Sequence, residues 1–524
     1  MKKHLPLVLL MSAAVGSIYA EEGDITSRSF FSVRPHFATG SFEHNALNRN
    51  DRMEAREDGY GSAWCLTAFG GRSQSASDLA RYFLPFGVTK LHVKENAAVN
   101  PVDGTDTRTV DAAHLNIETV NNTFESDVTF CPRHEFFGLG LDWHQALCMR
   151  DDGTVNYYFE ASAPLLQVRN NMNMRERIIN DGGGAVGELG LDNAPRVGNV
   201  TEAFQQPNWN YGKILPCANS KPACSTSTSR RCGSCHPYKR TRIGDIELSV
   251  GKNMVATGCC KLDSYIGMVI PTGNRVTSRY VFEAMVGNNH HWGVMYGANA
   301  ELGLFSCEDH TLKLALDTNT RFLFANHQVR SFDLKDKSWS RYMEMYQNQA
   351  QAALAATDPQ DQGQSMGVSG INMLSQCVKV KPRFSTVWNA TLLYNHCNFN
   401  SELGYGFYAR QCEKVEFCNK NFTAALKYYT GLGQTTIYRT INGLAAGTNL
   451  SVANYQAIPT SHFDLTSATH PAMLSFILHG SLGYSWKEVC YPTFVGIGGS
   501  YEFPSGTNAA LAAWTLWGKL GITF

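Results

Sequence analysis

Cys232-Gly-Ser-Cys235-His236 has the C-x-x-C-H spacing by which a c-type haem is attached. The motif sits in a Ser-, Thr-, Arg- and Lys-rich stretch beside Cys217 and Cys224, with no apolar or helical segment next to it to enclose a porphyrin. As a zinc site, the run Cys217-x6-Cys224-x7-Cys232-x2-Cys235 supplies one C-x-x-C knuckle where two are usual. A loop stapled by disulfides accounts for the four cysteines better, because closing a long loop restricts its unfolded ensemble. Cys397, Cys412 and Cys418 form a second group, close enough in sequence to pair as loops close. Cys259-Cys260 is a vicinal pair whose members pair elsewhere or stay reduced. The chain has 15 cysteines, so at least one lacks an intramolecular partner and the connectivity stays open.

Two other groupings invite chemistry. His290-His291 precedes Trp292 and reads as a polar rim rather than a metal site. Ser475, His479 and Ser481 share one face of an alternating segment, but next-but-one strand neighbours lie about 7 Å apart, too far for a nucleophile to donate directly to its base. No catalytic residue, metal ligand or cofactor is expected.

The segments that position these residues share one pattern. From Trp514 to Phe524, Trp514, Leu516, Gly518, Leu520, Ile522 and Phe524 fall on one side, and Thr515, Trp517, Lys519, Gly521 and Thr523 on the other. Successive strand side chains point to opposite faces, so one wall is apolar and the other polar. In 311–324, Leu312, Leu314, Leu316, Phe322 and Phe324 oppose Lys313, Asp317, Asn319 and Arg321; in 399–410, Phe399, Leu403, Tyr405 and Phe407 oppose Asn400, Glu402, Tyr408 and Arg410. That is a strand between lipid and water, which makes Lys313, Asp317, Arg321, Glu402 and Arg410 candidates to face a wet lumen.

The pattern predicts an all-β chain folded as a transmembrane antiparallel barrel. Its expected strands lie near 62–71, 109–120, 125–131, 136–150, 154–167, 243–252, 262–270, 291–305, 311–327, 383–396, 399–414, 472–484, 490–503 and 511–524. That is fourteen, an even number, and a further pair within 416–470 would make sixteen. Short links (121–124, 151–153, 253–261, 306–310, 397–398, 485–489) fall on one side, expected to be periplasmic. Long ones (72–108, 168–242, 271–290, 328–382, 416–470) fall on the other, expected to be extracellular. Residues 335–356 are rich in helix formers and predict a helix in an outer loop.

The ends agree with export. Lys2 and Lys3, the apolar run Leu5–Val15 and Ser17-Ile-Tyr-Ala20 read as a secretory signal over 1–20. Residues 21–60 are expected to plug the lumen or hang in the periplasm, and 61–524 to form the barrel. Ending on Phe524 resembles the C-terminal signature of bacterial outer-membrane barrels that their insertion machinery reads. No run reaches the roughly 20 apolar residues of a spanning helix. Lys+Arg and Asp+Glu balance at 45 each, giving no basic excess to draw nucleic acid. The expected surroundings are outer-membrane lipid, the insertion machinery and small-molecule solutes.

Gly244-Asp-Ile-Glu-Leu248 and Ile270-Pro-Thr-Gly-Asn274 together resemble a pattern in the long-chain fatty-acid and aromatic-hydrocarbon transporter barrels, over about 240–330. That resemblance implies a fourteen-stranded barrel with an N-terminal plug and uptake of hydrophobic substrates. The short N-P-A plug signature is missing from 21–60, and no binding residues carry over. The signal, barrel, many cysteines and terminal Phe resemble the cysteine-rich major outer-membrane porins of the chlamydial group. This second likeness implies passive diffusion of small solutes with disulfide cross-linking of the envelope. The expectation is an outer-membrane, porin-like channel, with a cross-linked envelope protein and a plugged hydrophobic-substrate transporter as alternatives.

Overall fold

A computed structural model describes residues 27–47, 61–95, 109–149, 155–215, 238–257, 259–307, 309–335, 337–347, 367–418, 425–426, 458–487, 489–505 and 512–524. The 1–20 signal lies outside them. Twelve antiparallel strands form the wall: β1 (Ser62–Ser73), β2 (Arg133–Met149), β3 (Val155–Asn171), β4 (Ile246–Thr257), β5 (Cys260–Ile270) and β6 (Gly293–Cys307). β7 (His310–Leu323), β8 (Arg383–His396), β9 (Phe399–Arg410), β10 (Met473–Trp486), β11 (Thr493–Pro504) and β12 (Ala513–Thr523) follow. Each pairs with its neighbours in sequence, and β1 pairs with β12, so the sheet closes. A thirteenth segment, Tyr238–Ile243, pairs with the upper part of β3 just before β4 takes over that edge, as one strand broken at Gly244-Asp245.

The ring corrects the count of fourteen. The segments expected at 109–120 and 125–131 are not wall. Thr109–Asp111 and Glu125–Thr129 join Lys90–Lys94 and Arg175–Asn180 in a separate four-stranded sheet above the barrel. The link 121–124 accordingly lies on the long-loop side. Alternation alone cannot tell a lipid-facing strand from one half-buried against a loop core. Because the ring already closes, it has no gap for a further pair from 416–470, a stretch only partly described. The helix expected at 335–356 is also corrected where it is described: Ser340–Tyr342 is a single 3-10 turn and Glu344–Tyr346 a short strand. Residues 348–366 lie outside the described part.

The wall follows the sequence alternation. Along β7, Leu316 and Phe322 are exposed while Ala315, Asp317, Asn319 and Arg321 are buried. Along β10, Leu478 and Leu482 are exposed while Ser475, His479 and Ser481 are buried. Apolar outside and polar inside inverts a soluble protein; this wall satisfies its own backbone groups and exposes its apolar side chains to hydrocarbon. No described helix is long and apolar enough to cross a membrane.

Five links, at 150–154, 258–259, 308–309, 397–398 and 487–492, are short and share one end of the barrel. The described parts of the long connections roof the other end and pack into one apolar core including Phe83, Phe204, Trp209, Phe332, Trp339 and Phe463. Helix α1 (Ala76–Phe83) contributes Leu79, Ala80 and Phe83 to it and is capped by Ser75, whose hydroxyl accepts from Asp78 N at 3.2 Å. Burying such a side chain is worth about 1.5–3 kcal/mol, so the described part of the roof is a folded cap.

Candidate functional site: the barrel interior

Residues 27–47 run down the inside of the ring from the cap toward the short-turn end. At the cap, Arg28 N donates to Tyr82 O at 3.0 Å and Ser29 N to Ser467 O at 2.8 Å. Ser27 Oγ donates to Asp333 Oδ2, which also pairs with Arg341 at 2.6 Å. Lower down, Arg34 lies between Glu502 of β11 (2.8 Å) and Glu43 (2.9 Å), all three buried. Ser475 Oγ donates to the other oxygen of Glu502. Thr39 is gripped at both backbone groups: its N–H donates to Glu247 at 2.7 Å, and its carbonyl accepts from Arg321 at 3.1 Å. Near the bottom, His44 Nε2 lies 3.0 Å from Asp142 and 3.2 Å from Glu160, and Lys519 Nζ donates to the carbonyls of His44 and Ala46, each at 2.6 Å.

Wall glycines make the seats. A Cβ on Gly140 would fall on the Phe37 ring, which stacks on Phe69 with centroids 5.2 Å apart. A Cβ on Gly496 would fall on Leu47, which also packs close to Gly483. Leu47 itself has φ 62°, a left-handed conformation costly for a branched side chain. Glu402 accepts its N–H at 3.0 Å and holds it there. Beside the segment, one cavity of about 40 Å³ is lined by residues including Ser32, Arg321 and Arg410, and another of about 20 Å³ by residues including Arg34, Thr39 and Phe42. Each has room for one or a few waters and is too small for a solute.

The residues named from sequence fall as follows. Asp317 is buried inside and accepts from Asn389 at 3.4 Å. Arg321 pairs with Glu247 at 2.9 Å, and Glu402 accepts from Ser481 and Leu47. Arg410 donates to Ser32 Oγ and Glu413, both at 3.0 Å. Lys313 is partly exposed, 3.7 Å from Glu301. Thus four of the five grip chain rather than line an open path, and Arg321, Glu402 and Arg410 hold residues 27–47 directly. Arg34, Glu502, Glu247, Asp142 and Lys519 belong to the same site. Lys519, Asp142, Glu247 and Glu502 each lie in the polar row of an alternating strand, a signal that could have found them; Arg34, outside any strand, carried none.

Ser475, His479 and Ser481 do not meet one another. Ser475 and Ser481 donate to Glu502 and Glu402, and His479 Nε2 lies 2.9 Å from Asn389 Oδ1. His291 is buried, with Nδ1 2.7 Å from Phe324 O and Nε2 2.8 Å from the Gln328 amide. Burial pushes its imidazole down to about 4. His470 in the cap is likewise held well below its ordinary value, first by burial and then by Arg410.

Cys217, Cys224, Cys232 and Cys235 lie outside the described residues. Cys397 and Cys412 are exposed and unbridged. Cys418 Sγ lies 2.8 Å from Cys377 Sγ, across the cap strands Lys414–Phe417 and Ser375–Lys381. Burial and the facing sulfur push the Cys418 thiol up. Phe524 is partly exposed, and its N–H donates to Ser62 O at 2.9 Å.

No protein-family pattern and no curated protein matches the chain. Among solved structures, it is similar to an outer-membrane channel from Pseudomonas putida F1, at 8% identity over 90% of this chain and 98% of that one, with TM-score 0.36. A Pseudomonas aeruginosa FadL homologue matches at 7% identity over 89% and 90%, TM-score 0.26. The Ralstonia pickettii toluene transporter TbuX matches at 8% over 89% and 89%, TM-score 0.27. Likeness this distant carries over no residue and no substrate. The class rests on the chain's own geometry: a closed antiparallel ring, apolar outside and polar within, is a β-barrel of the outer-membrane type.

Proposed function

We propose that this protein is an outer-membrane channel for small solutes, held shut by its own residues 27–47. The observation that carries the reading is the fit of that segment: buried ion pairs and glycine seats tie it to the wall from cap to turn end. In the expected orientation the cap faces outside and the short turns face the periplasm. Passage then requires the segment to leave, and the buried charges it releases (Glu502, Glu247, Glu402, Lys519) would line the opened lumen. The polar inner face favours hydrophilic solutes over hydrophobic ones.

Conductance of the purified chain in planar bilayers tests this. Low, rare openings are expected from the native protein, and a large increase after residues 27–47 are cut out. A native protein that conducts steadily, or a deleted one that folds and stays closed, overturns it.

A second reading has its own observation. Each of the five short turns carries or adjoins a cysteine: Cys148, Cys259 with Cys260, Cys307, Cys397 and Cys490, all exposed except the half-buried Cys260. This favours a role in a disulfide-linked envelope, alongside or instead of conduction.

A further inference from the structure

The chain's charges balance overall, yet they are not evenly spread. Between Glu202 and Asp245 there is no Asp or Glu, while seven Lys and Arg occur: Lys213, Lys221, Arg230, Arg231, Lys239, Arg240 and Arg242. The described end of this stretch, Tyr238–Ile243, continues the wall at the cap end, paired in the sheet with β3. There Lys239 stands directly opposite Arg169. Arg169 is opposite Glu135 of β2, Glu135 opposite Arg72 of β1, and Arg72 opposite Trp514 of β12. Neighbouring strands are about 4.8 Å apart, so the row from Arg72 to Lys239 spans about 14 Å.

The row sits where the lipid-facing surface ends. On β2, Phe137, 60% exposed, is the next outward residue below Glu135. On β3 and on Tyr238–Ile243, the exposed Leu165 and Ile243 lie two outward positions below Arg169 and Lys239. Arg72 rests its guanidinium over the Trp514 ring at 5.6 Å, the amphipathic pairing of a membrane boundary. The one carboxylate in the row, Glu135, lies 3.5 Å from Arg133 above it. Among the described residues, Arg72, Arg169 and Lys239 have no carboxylate at ion-pair distance, although like charges directly opposite across strands repel. Arg169 is oriented by donating Nε–H to Gln167 at 2.7 Å, and Gln167 in turn donates to Thr241 at 2.9 Å.

We infer that Arg72, Arg169 and Lys239 form a binding site for the phosphate groups of an anionic glycolipid in the outer leaflet. A planar guanidinium offers two parallel donors to a phosphate, and Lys239 adds a mobile point charge at the far end of the row. The acyl chains of the same lipid would lie on Phe137, Leu139, Leu165 and Ile243. The site rests on the proposed orientation, with the cap outside.

The test uses the full chain in detergent and three probes: bis-phosphorylated lipid A, dephosphorylated lipid A, and phosphatidylglycerol. Retention of bis-phosphorylated lipid A, measured by native mass spectrometry, is expected to exceed that of the dephosphorylated form at least tenfold. It should fall at least tenfold in Arg169→Ala/Lys239→Ala, with heat-modifiable migration showing that the barrel is folded. Substitution of Lys313, elsewhere on the chain, should leave retention unchanged. Equal retention of the two lipid A forms, or by the double variant, overturns the site. Preference for phosphatidylglycerol overturns the glycolipid assignment. Inorganic phosphate displacing lipid A at micromolar concentration would show a free-anion site and overturn the lipid source. Protease accessibility of 172–215 on intact cells reads the orientation separately.

Discussion

Arg34 of the internal segment and Glu502 of β11 meet 2.8 Å apart, in a region where both side chains are almost wholly shut off from solvent. A charge pair this deep is a poor source of net stability, since desolvating both ions offsets much of their attraction. It is a strong determinant of position, because neither charge has another place to go once the segment is seated. Arg34→Ala leaves Glu43 and Glu502 facing each other without a cation, and breaking such a pair from one side costs about 3–5 kcal/mol. The wall keeps its own ladder of hydrogen bonds, so the cost falls on the segment. Single-channel recording should show more frequent opening in Arg34→Ala; an unchanged closed trace would count against the ion pair as the latch.

Gly496→Leu tests the seat at the other end. A side chain there meets Leu47, while a Cβ on Gly518 of the neighbouring strand would meet only the Gly496 carbonyl, at an ordinary contact distance of 3.9 Å. Gly496→Leu is expected to raise conductance and to expose 27–47 to protease, and Gly518→Leu to do neither. Equal behaviour of the two variants would mean that Leu47 is not seated where Gly496 makes room.

Leu316 and Asp317 are adjacent on β7 and face opposite ways. Leu316→Arg puts a charge into hydrocarbon and should cost about 2–4 kcal/mol near the bilayer midplane. Asp317→Ala removes one inner acceptor and should leave the barrel able to fold. Denaturant unfolding in lipid vesicles would show the contrast, and the reverse order would shift the strand by one residue.

The cap should loosen in acid. His291 is held at about 4 by burial, against an ordinary value near 6.5, with the Phe324 carbonyl, Gln328, Glu413, Arg330 and Arg410 around it. The folded state therefore binds fewer protons than the unfolded one between those values. Stability is full above pH 6.5 and is lost as pH falls toward 4, by about 3 kcal/mol for this group. His470 acts in the same direction. Protease sensitivity of the cap loops should rise across that window, and His291→Gln should flatten the dependence. A cap equally resistant at pH 7 and pH 4.5 would contradict it.

Cys377 and Cys418 are expected to form a disulfide in an oxidising envelope, since their sulfurs already lie closer than two non-bonded sulfur atoms rest. Peptide mapping without reductant should recover the joined pair. Free alkylation of both thiols in the protein as isolated would exclude it. If the turn-side cysteines instead join neighbouring molecules, reductant-sensitive high-mass species will survive boiling in detergent, and they should disappear when Cys148, Cys259, Cys260, Cys307, Cys397 and Cys490 are replaced together.

The alternation of apolar and polar residues determined the wall. It located all twelve barrel strands, placed five of its six short links at the turn end while misplacing 121–124, and put Asp317, Arg321, Glu402 and Arg410 on the inner face. Side-chain direction in a strand is a local property with period two, so the chain carries it without knowing its neighbours. The same pattern miscounted the wall, because Thr109–Asp111 and Glu125–Thr129 bury one face against a loop core instead of a lumen, and only closure of the ring tells those environments apart. What tertiary structure alone decided is the content of the barrel. Nothing local to Arg34 indicates Glu502, which is 468 residues away, and nothing local to Gly496 indicates Leu47. Those pairings exist because closing twelve strands fixes which inner faces meet at each level, and a segment threaded between them satisfies charges that the wall strands leave inside.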